Sequence, residues 1–151
     1  MIKVSFINTQ SSPYKKVERF NNGAVTKVTL VGRIKGYECF PLPIIQWLSE
    51  KKGVSIPYNG PIIKVTGKAE RHPNDEDDPI LGERIAEARA KIAIYKIALQ
   101  LCERLVSHYQ KILYGKAIIP NYSGNGIVKD ADKYARLIYR EYEHLYKLLN
   151  L

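Results

Sequence analysis

The sequence predicts one α+β domain: an N-terminal antiparallel β-sheet with a short helix, followed by two C-terminal helices, the first long and dimer-forming. Three observations predict this. Several segments before residue 70 alternate apolar and polar side chains with the period of a strand. Beyond Pro79 the apolar period becomes helical, and Gly82 is the sole glycine or proline from residue 80 to residue 114. The length of 151 residues suits a single core. Residues 1–70 are expected to be mainly β and residues 79–151 to form a helical hairpin.

Ile2 to Ile7 alternates and reads as the first strand. Ser11 to Phe20, with Pro13, Tyr14, Lys15, Lys16 and Arg19, reads as a basic loop or an irregular strand. Asn21, Asn22 and Gly23 form a turn into a second alternating strand, Ala24 to Ile34, which carries Val25, Val28, Leu30 and Arg33. Gly36 to Phe40 is a candidate for a third strand. Pro41 to Lys52 places Leu42, Ile45 and Leu48 at helical spacing, with prolines near the start and Gly53 as the stop. Trp47 on this helix is expected to plug the core. After the turn Pro57 to Pro61, Ile62 to Ala69 alternates again, with Ile63, Val65 and Gly67 on one side and Ile62, Lys64 and Thr66 on the other. A sheet of about four strands follows.

The long helix spans Pro79 to about Tyr114. Ile85, Ala88, Ile92, Tyr95, Leu99, Cys102, Val106, Tyr109 and Leu113 recur in steps of three and four, the seam pattern of a coiled coil. A second stripe, Ile94, Ile97, Leu101, Leu105 and Ile112, runs beside it, so the helix needs two sets of neighbours. Asp78 before Pro79 is the expected cap, and Asp75, Glu76 and Asp77 suit the positive end of the helix dipole. Such a helix is about 50 Å long, whereas a compact domain of this size has a radius of gyration near about 15 Å. The overhang predicts a homodimer through this helix. Gly115 to Lys129, with Pro120, Gly124 and Gly126, is expected to be a loop. The last helix then begins near Asp130, with Ala131, Tyr134, Leu137, Ile138, Leu145 and Leu148 as its apolar side.

Lys and Arg number 24 against 15 Asp and Glu, giving a formal charge of +9. That field favours phosphates, nucleic acids or acidic lipids as partners, although a basic balance also serves solubility alone. Cys39 and Cys102 are far apart and form no CxxC pair, which fits a reducing cytoplasm better than a disulfide framework or a zinc site. No apolar run approaches about 18 residues and no leader pattern follows Met1, so neither membrane spanning nor secretion is expected. The motifs GxSxG, GxGxxG and HExxH and a Walker-type loop are all missing, so no catalytic residue, metal ligand or cofactor is assigned. His72, His108 and His144 are scattered, and the acidic run Asp75 to Asp78 lacks the glycine and terminal glutamate of an EF-hand.

Gly67 to Lys91 is the richest stretch for binding. A strand ends at Lys68, the chain crosses Arg71, His72 and Asn74, and the helix opens with Arg84, Arg89 and Lys91. Guanidinium groups, a helix N-terminus and an Asn side chain are what recognition of phosphate and ribose requires. Glu83 and Glu87 either accept from ribose hydroxyls or pair with these cations, the latter being commoner. The expected ligand-binding set is Arg33, Arg71, His72, Asn74, Arg84, Glu87, Arg89 and Lys91. Eleven tyrosines, among them Tyr134, Tyr139, Tyr142 and Tyr146 on the last helix, suit either base stacking or interface packing.

The stretch GKAERHPNDEDDPILGERIAEARAKIAIYK resembles a recurring segment of small phage and prophage proteins: Gly-Lys-Ala, then His-Pro, acids, and a glycine before an Ala-rich helix. Together with the layout of a sheet followed by two helices, it resembles the phage Thoeris anti-defence sponge family. Glu70 and the Asp78–Pro79 pair depart from a Cys and a Phe common in such proteins. The resemblance implies a protein that sequesters signalling nucleotides, cyclic ADP-ribose isomers or cyclic oligonucleotides, in the host cytoplasm without cleaving them, and dimers that build a hexamer. The alternative is a basic phage protein that binds nucleic acid or inhibits another protein.

Overall fold

The computed structural model describes residues 3–6, 15–35, 40–57, 60–114 and 124–150. Its strands are β1 (Lys3–Phe6), β2 (Lys15–Phe20), β3 (Val25–Lys35), β4 (Val54–Ser55) and β5 (Ile62–Glu70), with helices α1 (Leu42–Ser49), α2 (Pro79–Tyr114) and α3 (Gly124–Leu149). The α+β arrangement is the expected one.

The sheet is antiparallel throughout and is organised by β3. One edge of β3 pairs with β2 over its first half, Lys15 opposite Leu30 to Phe20 opposite Val25. The same edge pairs with β1 over its second half, Lys3 opposite Lys35 to Phe6 opposite Gly32. The other edge pairs with β5 from Val25 opposite Glu70 to Arg33 opposite Ile62. Residues 15–20, left open between loop and strand by the sequence, are a regular strand because the hairpin turn fixes their register on β3. Asn21, Asn22 and Gly23 all take positive φ in that turn (55°, 57° and 85°), and residues 20–23 are closed by the Gly23 amide donating to the Phe20 carbonyl. The candidate strand Gly36 to Phe40 lies, except for Phe40, outside the described residues.

Alternation then decides the faces. Val28, Leu30 and Ile34 of β3 and Ile63, Val65 and Ala69 of β5 are buried on one face, against α2. Gly67 belongs to that row, and a Cβ there would collide with the Ala86 carbonyl and the Ala90 amide of α2. The small residues Gly67, Ala86 and Ala90 therefore let the helix backbone lie directly on the sheet. Ile94, Ala98, Leu101 and Leu105 continue the buried row along α2.

The seam stripe of α2, expected to meet a second copy, meets α3 instead. Ala88 and Ile92 pack with Leu145, the rings of Tyr95 and Tyr134 lie 6.3 Å apart, and Lys96 donates to the Tyr142 hydroxyl at 2.7 Å. The first turns of α2 meet the end of α3, at Leu145, and Tyr95 and Lys96 meet its earlier residues Tyr134 and Tyr142, so the hairpin is antiparallel. Both apolar stripes of α2 thus find neighbours within the chain as far as Val106, the sheet for one and α3 for the other. That part of the demand for a second copy is met internally; the side chains of Tyr109, Ile112 and Leu113 lie outside the described residues.

Helix α3 starts at Gly124 rather than near Asp130, so residues 124–129, expected in a loop, are helical. Two early glycines cost the helix about 1 kcal/mol each, but the turns that follow are anchored by buried Asp130 and Tyr134, and packing outweighs propensity. The rest of that loop lies outside the described residues. Helix α1 buries Ile44 and Leu48, and Trp47 is partly buried against the core, as expected.

Candidate functional site: an open basic sheet face and an acidic-rimmed cleft

The face of the sheet turned away from α2 is the most distinctive surface. Register places Lys16, Glu18 and Phe20 of β2 on it, with Val25, Lys27, Thr29, Val31 and Arg33 of β3 and Ile62, Lys64, Thr66, Lys68 and Glu70 of β5. Basic positions (Lys16, Lys27, Arg33, Lys64, Lys68) outnumber the acids Glu18 and Glu70 among the described side chains. Both acids are already engaged on the same face, Glu70 with Lys68 at 2.9 Å and Glu18 with Lys16 at 3.8 Å. The Lys68 ammonium lowers the Glu70 pKa, chiefly by hydrogen bonding. Lys27 sits 5.6 Å over the exposed Phe20 ring, and the Thr29 and Thr66 hydroxyls meet at 3.4 Å across the strands. Arg33 Nε is buried without a hydrogen-bond partner among the described residues.

A cleft of about 310 Å³ opens at the other side of the sheet where the β2–β3 turn, the end of β5, the start of α2 and the end of α3 converge. Arg19 and Arg71 line it together with Glu70, Asp75, Glu76, Asp77 and Asp78, so its rim is net acidic. The arginines are partly spoken for: Arg19 pairs with Asp77 at 2.6 Å, and Arg71 Nη1 donates to the Asp75 carbonyl at 3.1 Å. Arg71 Nε is buried without a partner among the described residues. Asp78 caps α2 as expected, its Oδ1 accepting from the Leu81 amide at 3.0 Å, so this amide is not turned to an outside phosphate.

The expected ligand-binding set does not converge. Arg33 and Arg71 lie near opposite ends of β5, opposite Ile62 and just beyond Glu70, about 30 Å apart along the strand. Glu87 and Lys91 do meet, at 3.8 Å, but inside a chain of charges that ties three elements: Lys15 of β2 lies 2.8 Å from Glu83 and 3.1 Å from Glu87, and Lys91 lies 3.9 Å from Glu141 of α3. The hydrogen bond that Lys15 donates to Glu83 chiefly raises the Lys15 pKa, desolvation opposes it, and Glu87 adds to the rise. Glu87 and Lys91 are therefore occupied in joining elements. Arg89 donates to the Lys68 carbonyl at 2.6 Å, covering a stretch of β5 beyond its short pairing with β4. His72 Nδ1 accepts from the Asn74 amide at 3.2 Å, closing an exposed turn, and Arg84 is exposed.

What sequence reasoning missed is the set Lys16, Lys27, Lys64 and Lys68. The alternation of Ile62, Lys64 and Thr66 against Ile63, Val65 and Gly67 was the available signal, but the register that lines these lysines up across three strands was not. Among the described residues no group of His, Cys, Asp and Glu has metal-site geometry, and no helix is long and apolar enough to cross a membrane. The Cys102 thiol is buried, and burial pushes its pKa up from 9.0 to about 12. Comparison with protein-family models, curated proteins and solved structures finds no match to this chain.

Proposed function

We propose that this chain is a binding protein for phosphate-bearing ligands that holds them unchanged, with the open face of the sheet as its principal seat. The observation that supports this most is the charge of that face, where Lys27, Arg33 and Lys64 form no close ion pair among the described residues, Glu18 opposite Lys27 being engaged with Lys16 and Glu70 with Lys68. Cations left without a carboxylate retain a net field that an incoming phosphate neutralises. Sequestration of signalling nucleotides by a phage anti-defence protein in the host cytoplasm, as the sponge resemblance implies, and nucleic-acid binding are the two forms this reading takes. A homodimer, and a hexamer built from dimers, belong to the sponge form.

One observation favours a compact nucleotide in the cleft instead: a volume of about 310 Å³ with the unpartnered Arg71 Nε on its wall. The acidic rim opposes an anion there, which ranks the cleft second. Isothermal titration against cyclic ADP-ribose isomers, cyclic di- and trinucleotides and short oligonucleotides tests the reading. Heat release should return intact ligand. Absence of binding to every phosphorylated compound sinks it, and recovery of a cleaved product replaces it with an enzyme.

A further inference from the structure

We infer that the occupant of the open sheet face is a single-stranded nucleic acid, lying along the strands and bound largely without regard to sequence; this rests on the phosphate-binding reading above. Three features of the face point to an extended strand and away from a compact nucleotide.

The first is how the charge is laid out. Lys64 and Lys68 stand four residues apart on β5, about 13 Å along the strand, while Lys27 is the direct neighbour of Lys68 and Lys16 lies one row along. The cations are spread over a surface, with no enclosed pocket among the described residues built from them. A ligand must bring several phosphates at intervals to meet them together. From Val25 to Arg33 the face is about 27 Å long, room for about four nucleotides, the low end of site sizes for β-sheet binders of single strands.

The second is the material between the cations. Phe20 is 42% exposed on this face, partly covered Val25 lies directly opposite it, and partly covered Val31 lies three rows along β3. Unpaired bases can place their flat faces on such apolar ground, whereas a duplex keeps its base faces stacked inside and offers only phosphate and groove. The Lys27 ammonium over the Phe20 ring puts a phosphate partner beside a stacking platform.

The third is a local conflict. Lys27 and Lys68 are directly opposite one another in the β3–β5 register, an arrangement that lowers the stability of a sheet and that Glu18, facing Lys27 from β2, and Glu70, 2.9 Å from Lys68, only partly offset. A fold that keeps like charges adjacent on an exposed face sacrifices stability for a field, as binding surfaces do.

The test is fluorescence anisotropy with labelled twelve-residue oligothymidylate and oligouridylate, the matching DNA duplex, and unlabelled cyclic dinucleotide and ADP-ribose as competitors. With four phosphates neutralised, single-strand affinity should fall about fifty-fold between 50 and 200 mM salt. Replacing Lys27, Lys64 and Lys68 with Gln should make the log–log salt slope shallower by about 2. Phe20→Ala should weaken single-strand binding about tenfold and leave the slope unchanged. The equally charge-depleted control, Arg136→Gln with Arg140→Gln and Lys147→Gln on α3, should bind like the parent. Circular dichroism confirms that each variant is folded. Retention of affinity and slope by the folded lysine variant overturns the inference, as does a duplex bound as tightly as the single strand. Binding of the compact nucleotides with no binding of oligonucleotides overturns this inference alone; indifference to every phosphorylated probe removes the wider reading with it.

Discussion

Gly67 of β5 lies so close to Ala86 of α2 that a methyl group at position 67 would run into the Ala86 carbonyl oxygen. The obstacle is backbone on both sides, since the Ala90 amide also stands in the way, and no rotamer change relieves it. Replacing glycine with alanine in a strand ordinarily gains about 0.4–1 kcal/mol from the unfolded state. Here overpacking of about 1–3 kcal/mol or more should win, so Gly67→Ala should lower the denaturation free energy and Gly67→Val should lower it further. Urea unfolding followed by circular dichroism measures both; a stabilised Gly67→Ala would mean that α2 can stand off the sheet.

Trp47 offers a second test because it is the chain's single tryptophan. The Arg104 guanidinium and the Lys51 ammonium each sit 4.8 Å from its ring centroid, so residues of α1, of the turn after it and of α2 meet at one side chain. Cation–π contacts at a partly covered site contribute about 0.5–2 kcal/mol. Arg104→Ala should cost about 1 kcal/mol and shift the tryptophan emission to the red as water reaches the ring, while Lys51→Ala has a smaller effect. Unchanged emission in Arg104→Ala would remove the contact.

These two contacts mark how far the sequence could be read. The bounds of α2, the Asp78 cap and the alternation of β3 and β5 were legible because each is a local signal: period, cap chemistry, face. The closeness of Gly67 to Ala86 was not, because a glycine in a strand carries no mark of what approaches it. Glu87, Arg89 and Lys91 look like ligand contacts in the sequence because they lie near Arg71 and Asn74 along the chain. The fold turns them to Lys15, to the Lys68 carbonyl and to Glu141, partners far away in sequence or on other elements. The basic face was half visible, since Lys64 and Lys68 alternate with buried residues, but its assembly needs the pairing of Lys27 with Lys68. Residues 124–129 were misjudged because two glycines outweigh a packing contact that only the hairpin reveals.

Alkaline conditions should destabilise the fold through Lys15 and Cys102, alongside Tyr95, whose pKa burial raises. Lys15 has a raised pKa in the folded state, so its contribution is present in full below about 10.4 and is lost as pH climbs through the higher folded value. Cys102 is raised from 9.0 to about 12, so the folded state keeps it neutral and stability falls between those values as the unfolded chain ionises. Thermal melts from pH 8 to 11 should show a decline that flattens in Cys102→Ala and flattens further in Cys102→Ala/Lys15→Met. In a Cys39→Ser background, Cys102 should also resist thiol reagents at pH 8 until the protein is unfolded. Rapid labelling of the native protein would contradict its burial.

The β2–β3 hairpin depends on three successive positive φ angles at Asn21, Asn22 and Gly23. Asparagine tolerates this region, whereas β-branched residues are strained by about 1–2 kcal/mol. Asn22→Val should therefore lose about that much stability, and Asn22→Gly should change it by less than about 0.5 kcal/mol. Because β2 supplies Lys16 and Phe20 to the open face, the Val variant should also weaken oligonucleotide binding. Equal stability of the Val and Gly variants, measured in urea, would contradict the turn geometry.

Self-association, if it accompanies this function, should use α3 and not the seam first read on α2. The stripes of α2 are covered by the sheet and by α3 up to Val106, whereas Tyr139, Tyr142, Tyr146 and Leu149 are exposed along one side of α3 and three of them line a shallow groove. A second copy related by a two-fold axis brings the same stripe, and the neighbouring Glu143 and Lys147 give each copy opposite charges to exchange. Four side chains make a small interface, so the dimer should be concentration-dependent. Sedimentation velocity should show dimer at high protein concentration, and Tyr139→Glu/Tyr146→Glu should be monomeric with an unchanged melting temperature, since neither side chain is buried in the chain's own core. A parent protein that stays a single subunit at every concentration would leave the tyrosines to some other contact and would remove the homodimer from the proposed function.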